Sequence, residues 1–379
     1  MLTKDGCQER RSRLCGRMDG PWDALLIHLP QHLLYFANFY PLPNSLNLHS
    51  SSFLLVERSG KTTLFTDNWL SPSDQAAVDE SVVTDWYTCK RPASNRSQVV
   101  GEALMERLKS LRVRTLAAEL CHLPCSIAAE ANRLVDIEPS IRKMRETKDP
   151  DEIAAIRRGI RTAEAIHHAS RGLLQPGISE IDYYARLLEP ATVAAGVPFV
   201  MMCDLASGPR AAEGGGGPTS RIMNEGELVI LDMFPYVEGY RGDITNTLVV
   251  GGKPTGEQRA LFALVHEGLK AAEKLLRPGT PVREIFHAVD SLFRRAPDGR
   301  SKETGTFTLV HHAGHNLGLG HPESPEIVPE SDCVLQKGMV MTLEPGIYGA
   351  PTGGVRLEHD YLITDNGPER LSNHQLGLE

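Results

Sequence analysis

The sequence predicts an α+β protein in which a small mixed α/β domain precedes a larger domain of antiparallel sheet covered by helices. Apolar runs of strand length alternate with helical periodicities over about the first 140 residues, which is typical of a mixed sheet. Later in the chain, pairs of strands alternate with pairs of helices, which favours an antiparallel sheet. Because 379 residues suffice for two domains, we expect one over residues 1–142 and another over 143–379.

The elements of the first domain follow from short local patterns. Residues 23–37 predict a buried strand that Pro30 interrupts and a helical stretch that follows it. The Ser59-Gly60 pair between two β-rich runs predicts a hairpin. In order, the predicted elements are the strand and helix of 23–37, hairpin strands over 53–56 and 62–66, a helix over 97–111 and a strand over 115–120.

Helix caps and breakers outline the second domain. Asp149 can cap a helix that begins at Pro150, and Glu152 stands three residues after the cap, as in a capping box. A second N-cap and a Pro-Gly breaker predict where the remaining helices begin and end. The expected helices start at Pro150, run from a Ser179 and Asp182 cap through Leu188, and cover 255–276 and 282–295.

A hairpin over residues 226–251 lies at the centre of the second domain. An apolar strand over 228–231 ends in Asp232, and a second strand over 244–250 is entered through Asp243. Such a hairpin brings two carboxylates to one end. Because carboxylates without a counter-charge are costly in an apolar region, we expect a cation beside them.

Further polar side chains follow beyond residue 300. Four histidines lie within eleven residues in a glycine-rich context, namely His311, His312, His315 and His321. Glu344 ends one apolar strand and Glu358 lies on another. Taken singly, each of these residues has a structural interpretation. Two aspartates, one histidine and two glutamates together match a binuclear hydrolytic site, and this donor set suits Mn²⁺, Co²⁺ or Zn²⁺.

Composition excludes several other classes. The formal net charge of -8 argues against a nucleic-acid role that rests on a basic surface, and no apolar run is long enough to predict a membrane span. The basic N-terminus has no apolar core after it, so we expect a cytoplasmic protein rather than a secreted one. The seven cysteines are scattered, and the close pair Cys121 and Cys125 is interpreted as incidental thiols.

On these motifs the chain resembles the creatinase and methionine-aminopeptidase pita-bread superfamily, and within it the Xaa-Pro peptidases of family M24, aminopeptidase P and prolidase. The motifs are RKMRETKDPDEIAAIRR at the junction, LDMFPYVEGYRGDIT in the hairpin, the H-x-x-G-H segment, EPGIY and GVRLEHD. The resemblance covers nearly the whole chain. It implies a creatinase-like N-terminal domain, a pita-bread catalytic domain and a homodimer.

The resemblance also implies a role for each candidate ligand. Asp232 would chelate one metal ion, Asp243 and Glu358 would bridge both, and His315 and Glu344 would bind the second. Mn²⁺ is the ion that this family favours, with Co²⁺ or Zn²⁺ as alternatives. A water bridging the two ions, deprotonated to hydroxide, would then attack the scissile carbonyl.

Three further residues are implied to bind the substrate and assist catalysis. His321 resembles the family's second histidine, which contacts the substrate and assists proton transfer. His311 lies four residues before the metal histidine, at a position near the substrate. Arg356 resembles an arginine that either binds the substrate or forms a salt bridge that orients the ligands.

The chain departs from the family pattern at three places. A histidine is usual a few residues before a Pro-Thr pair, but Gly215 stands there, and no histidine occurs anywhere over 198–235. The spacing from His315 to His321 is one residue shorter than usual. His359 replaces the aspartate of an Arg-x-Glu-Asp motif. The glycine run over 214–217 is interpreted as a mobile loop or lid.

The function implied by the resemblance is a binuclear metal-dependent exopeptidase, an Xaa-Pro dipeptidase or Xaa-Pro aminopeptidase that acts on the N-terminus of short proline-containing peptides. The alternative is another hydrolase or lyase on the same scaffold, similar to creatinase or ectoine hydrolase, and Gly215 favours this alternative. A third class, a binding module without activity, is disfavoured because all five ligands are present. Fold alone does not separate these classes.

Overall fold

The computed structural model describes residues 2–41, 52–70, 72–90, 92–296, 307–350 and 353–379. The chain divides into two compact units, Met1–Arg145 and Glu146–Glu379. The boundary predicted between residues 142 and 143 lies inside the last helix of the first unit, which spans Glu138–Arg145.

The first unit is a mixed six-stranded sheet with helices. Its helices are α1 Lys4–Gly16, α2 Pro30–Ala37, α3 Arg96–Ser110, α4 Cys125–Ala128 and α5 Glu138–Arg145. Its strands are β1 Ala24–Ile27, β2 Phe53–Glu57, β3 Thr62–Asp67, β4 Glu80–Thr84, β5 Thr115–Ala118 and β6 Arg133–Asp136. The strand order is β4-β3-β2-β1-β5-β6, with β1 antiparallel to β2 and parallel to β5, so the predicted mixed α/β character is confirmed.

Local sequence explains the elements of this unit. The β2–β3 hairpin turns at Gly60, whose φ of 89° suits glycine. Pro30 occupies the first turn of α2, where its missing N–H removes no helical hydrogen bond. One face of α3 packs on the sheet through Leu104 and Leu108. One hydrophobic cluster of the first unit therefore lies between α3 and the sheet.

The second unit has antiparallel sheets and five helices in its described part. Its helices are α6 Pro150–Leu173, α7 Glu180–Ala195, α8 Pro209–Ala212, α9 Gly256–Glu273 and α10 Val282–Arg294. Its strands are β7 Val200–Ser207, β8 Leu228–Val237, β9 Tyr240–Arg241, β10 Ile244–Val249, β11 His315–Asn316, β12 Glu323–Glu326, β13 Val340–Leu343, β14 Gly346–Ala350, β15 Gly353–Arg356, β16 His359–Thr364 and β17 Gly367–Arg370.

Three sheets result from the pairing of these strands. One has the order β10-β8-β7 with β9 on β8, a second has the order β12-β11-β13-β16-β17, and β14 pairs with β15. All of these pairs are antiparallel. This arrangement confirms the predicted sheet type. In the described part of the chain, no helix combines the length and apolar character that crossing a membrane requires.

The predicted helix starts are confirmed, but one predicted end is wrong. The Asp149 N–H donates to Glu152 Oε2 over 2.9 Å, and Ser179 Oγ caps α7. The helix α7 was expected to stop at Leu188, before Pro190, yet it continues to Ala195. Leu187 and Ala191 are buried on either side of the proline. Their packing outweighs the hydrogen bond that the proline cannot make.

Two predictions about the ligand-bearing strands are also wrong. Asp232 was expected at the end of a strand, but β7 pairs with β8 from Val229 to Tyr236, and this ladder carries β8 past Asp232. The turn comes at Glu238 and Gly239, whose positive φ values suit a tight hairpin. Glu358 was expected on a strand, but it lies between β15 and β16, where the chain passes from one sheet to another.

Candidate active site

The five residues predicted to hold metal lie together in the second unit. One ligand atom each of Asp232, Asp243 and Glu358 lies within 4.8 Å of the others, and the same holds for His315, Glu344 and Glu358. Glu358 belongs to both groups. All five residues are at least 94% buried.

Strand pairing brings the carboxylates together. Asp232 lies opposite Thr245 on β10, so Asp243, just before β10, comes close to it. The Thr245 hydroxyl donates to Glu358 Oε2 over 2.7 Å, and the Glu358 N–H donates to the Thr245 carbonyl. The Glu344 N–H donates to the carbonyl of Ala313. Each carboxylate is therefore positioned by the backbone of a strand or a strand end.

His315 is oriented as a metal-ligating histidine. Its Nδ1 lies 2.7 Å from the carbonyl oxygen of Asn316, so Nδ1 carries the proton. Its Nε2 faces the carboxylates, 3.3 Å from Asp243 Oδ2 and 3.4 Å from Glu344 Oε1. A hydrogen bond from one ring nitrogen fixes the other as a ligand.

The chemistry of this cluster fits divalent metal ions. Each of four candidate ligands has a buried atom without a hydrogen-bond partner among the described residues, namely Asp232 Oδ1, Asp243 Oδ1, His315 Nε2 and Glu358 Oε1. Burial raises the pKa of Asp232 and of Glu358 well above its ordinary value, and neighbouring carboxylates raise it further. Cations between the carboxylates would satisfy these atoms and favour the charged forms.

Two arginines contact the cluster. Arg356, a predicted site residue, has its Nη2 2.8 Å from Asp204 Oδ2 and 3.2 Å from Asp232 Oδ2. Its backbone is anchored to Thr247 on β10. Arg241, which was not predicted at the site, forms an ion pair with Asp243.

Phe234 and Arg241 form one side of the site. The Arg241 guanidinium lies 4.2 Å from the centre of the Phe234 ring. The His321 ring also stacks on the Phe234 ring, with a centroid separation of 6.0 Å. Its ring centre is also 4.8 Å from that of His315, so the shorter spacing in the sequence still brings His321 to the cluster. Burial and the neighbouring Arg241 lower the pKa of His321 to about 4.

His311 has a different environment from His321. Its Nδ1–H donates to the carbonyl of His312 over 2.7 Å, so its Nε2 accepts from the Tyr348 hydroxyl over 2.8 Å. Both ring nitrogens are therefore engaged, and the ring face remains for contact with a ligand. Tyr348 was not predicted, although it belongs to the EPGIY motif that was singled out.

A cavity of about 480 Å³ opens beside the cluster. It is bordered by Asp232, Asp243 and Glu344 as well as by all three of the predicted substrate contacts, His311, His321 and Arg356. Gly215 also borders it. Asp204, Arg241 and Phe234 in this lining were not predicted, because none of them belongs to a metal-ligand pattern.

Comparison with known proteins gives two family matches. Residues 154–365 match the model of metallopeptidase family M24, and residues 10–147 match the creatinase/prolidase N-terminal domain. An uncharacterised peptidase of Staphylococcus aureus strain USA300 is 27% identical over 357 residues, which is 93% of this chain and 95% of the relative.

Solved structures share the fold over almost the whole chain. The Xaa-Pro dipeptidase from Bacillus anthracis is 25% identical with a TM-score of 0.81, and the alignment covers 98% of this chain and 99% of that one. The prolidase from Pyrococcus furiosus is 25% identical with a TM-score of 0.77, covering 93% and 97%. An Escherichia coli aminopeptidase P variant, 21% identical with a TM-score of 0.83 and coverage of 99% and 96%, is similar in fold.

Proposed function

The chain belongs to metallopeptidase family M24, and we propose that it is a binuclear metal-dependent exopeptidase that hydrolyses the Xaa-Pro bond at the N-terminus of short peptides. This activity would make it an Xaa-Pro dipeptidase or an Xaa-Pro aminopeptidase. The proposal includes Mn²⁺ as the bound ion, with Co²⁺ or Zn²⁺ as alternatives, a cytoplasmic location and a homodimer.

The observation that carries this proposal is the pair of ligand groups that share Glu358. Asp232 would hold one ion and His315 and Glu344 the other, while Asp243 and Glu358 would bridge the two. When bound, two such ions lower the pKa of a water molecule and polarise the scissile carbonyl. The negative charge of the four carboxylates balances the positive charge of two divalent cations.

The residues around the ions would bind and orient the peptide. His321 borders the cavity next to His315 and can exchange a hydrogen bond with the reacting amide. His311 and Tyr348 hold each other through a hydrogen bond, so they form a fixed wall for the residue after the scissile bond. Arg356 orients Asp232 through their ion pair.

A second candidate is a hydrolase or lyase of the same fold with a different small substrate. Gly215 favours it, since it borders the cavity and stands where a histidine is usual in the family pattern. A substrate other than a proline peptide would then use the same ions.

The test is hydrolysis of Xaa-Pro dipeptides, Xaa-Pro-Yaa tripeptides and creatine, with added Mn²⁺ or with chelator. We expect chelator-sensitive cleavage of proline peptides, and the preferred length distinguishes dipeptidase from aminopeptidase. Glu358→Gln should lose both activity and bound metal, whereas Glu369→Gln, which removes an exposed ion pair with Arg157, should keep both. Two bound ions without cleavage of any proline peptide would favour the second candidate.

A further inference from the structure

We infer that Asp204 makes this cavity select substrates that carry a cationic group, an ammonium or a guanidinium, in the residue next to the scissile bond. The inference rests on the proposed function, because it takes the cavity as the place where the substrate binds. It adds a preference for charge that the ligand set and the family match do not contain.

Asp204 lies beside the metal cluster but is not part of it. It is on β7, directly opposite Asp232 on β8. Its side chain is 32% exposed and borders the cavity. Substrate bound in the cavity would therefore reach this carboxylate without displacing any of the five metal ligands.

Only one oxygen of Asp204 is engaged. Oδ2 accepts from Arg356 Nη2 over 2.8 Å. Among the residues that the structure describes, no side chain donates to Oδ1. A carboxylate oxygen only accepts hydrogen bonds, so its partner in a substrate has to be a donor.

Gly215 provides the space that this carboxylate occupies. A Cβ at position 215 would lie 2.7 Å from Asp204 Oδ2 and 3.1 Å from Arg356 Nη2. The Asp204–Arg356 pair thus fills the volume that a side chain at 215 would take. An acceptor faces the cavity at this point.

The wall around Asp204 carries more negative than positive charge. Glu213 borders the same cavity, and its carboxylate makes no hydrogen bond or ion pair with the described residues. Arg356 is the arginine that contacts Asp204, and it is shared between Asp204 and Asp232, while the other arginine of the lining, Arg241, is paired with Asp243. Arg356 is 6% exposed, and its Nε has no partner in the described part of the chain.

These open positions indicate a ligand with both a donor and an acceptor. A cationic side chain would donate to Asp204 and offset the charge of Glu213, and the amide beside it offers an acceptor for Arg356. An anionic side chain would meet two carboxylates.

The test compares Lys-Pro with norleucine-Pro, which share the same alkyl chain and differ in the terminal ammonium. We expect kcat/KM to be on the order of tenfold higher for Lys-Pro, as for one charge-assisted contact. Asp204→Asn keeps the shape and removes the charge, so the ratio should fall to about one. Glu257→Gln, an exposed residue in the first turn of α9, should leave the ratio unchanged.

Cleavage and binding measurements together distinguish an error in this inference from an error in the proposed function. Cleavage of both peptides with equal kcat/KM, or an unchanged ratio in Asp204→Asn, would overturn the charge preference and leave the exopeptidase standing. If neither peptide is cleaved, titration calorimetry with the metal-loaded protein still decides. Tighter binding of Lys-Pro than of norleucine-Pro, lost in Asp204→Asn, supports the inference, and equal binding refutes it.

Discussion

The backbone of Gly159 in α6 touches the backbone of Gly242, the residue before the proposed ligand Asp243. A Cβ on Gly242 would lie 2.2 Å from the carbonyl carbon of Gly159, and a Cβ on Gly159 would lie 2.5 Å from the nitrogen of Gly242. Neither backbone can withdraw without moving a helix or the hairpin. This contact therefore sets the position of Asp243 relative to α6.

We predict that Gly242→Ala destabilises the protein and weakens metal binding. The added methyl group meets backbone atoms rather than a flexible side chain, and overpacking of this kind costs about 1–3 kcal/mol. Thermal unfolding and metal titration measure the two effects. Gly172→Ala is the matched control, because it lies in the same helix as Gly159 with nothing within 4 Å of its added Cβ. Equal melting temperatures for the two variants would contradict the assignment.

A second prediction concerns the hydrogen bond between Tyr348 and His311. Tyr348→Phe removes the donor to His311 Nε2, so the imidazole loses its fixed orientation. The loss of one buried hydrogen bond corresponds to about 1 kcal/mol. If His311 binds the substrate, KM for an Xaa-Pro tripeptide should rise several-fold while kcat changes less.

Tyr361→Phe is the control for this variant. The Tyr361 hydroxyl is buried and has no hydrogen-bond partner among the described residues, so its removal should leave KM unchanged. A fall in kcat with constant KM in Tyr348→Phe would instead assign the pair to the chemical step.

The pH dependence of stability should contain a contribution from Glu227. Burial raises the pKa of this carboxyl, but hydrogen bonds from Arg221 and Asn224 outweigh it and lower the pKa from 4.5 to about 2. Because the folded-state pKa lies below the unfolded one, the stabilisation is complete above about pH 4.5. It is lost as the pH falls toward 2.

Melting temperatures of the wild type and Glu227→Gln, measured between pH 7 and pH 3, test this contribution. The difference between the two proteins should be constant near neutral pH and shrink below about pH 4.5. Glu330→Gln changes an exposed carboxylate without a partner among the described residues and should follow the wild-type profile. A difference that grows on acidification would show that the sign is wrong.

Sequence patterns predicted the parts of the molecule that depend on local chemistry. The caps at Asp149 and Ser179 and the glycine turn of the first hairpin follow from a few adjacent residues. The proposed metal ligands could be predicted from their donor types and from the motifs that contain them, although the strand positions expected for Asp232 and Glu358 were wrong. The family motifs identified these residues as ligands, which their spacing alone could not do.

Pairing across the sheets was not predictable in the same way. The ladder between β7 and β8 extends β8 beyond Asp232, and the length of this ladder depends on a strand that begins about thirty residues earlier. The same strand register places Asp204 opposite Asp232 and so at the site. Arg241 was missed for a related reason, since a lone arginine near a glycine predicts a solvated turn rather than a buried ion pair with Asp243.

Gly215 allows a last prediction, about its coupling to Asp204. In Gly215→Ala the new methyl group would contact Asp204 Oδ2 at 2.7 Å, at a φ of 139° that disfavours any side chain. We expect the substitution to displace Asp204 from Arg356 and to lower kcat/KM. Gly216→Ala has a comparable φ of 116°, but its Cβ would approach Arg210 instead, so it reports the backbone strain without the clash.

Combining Gly215→Ala with Asp204→Ala should remove the clash, so the two changes together should cost less in kcat/KM than the sum of their separate effects. Strict additivity of the two substitutions would show that Asp204 and Gly215 act independently.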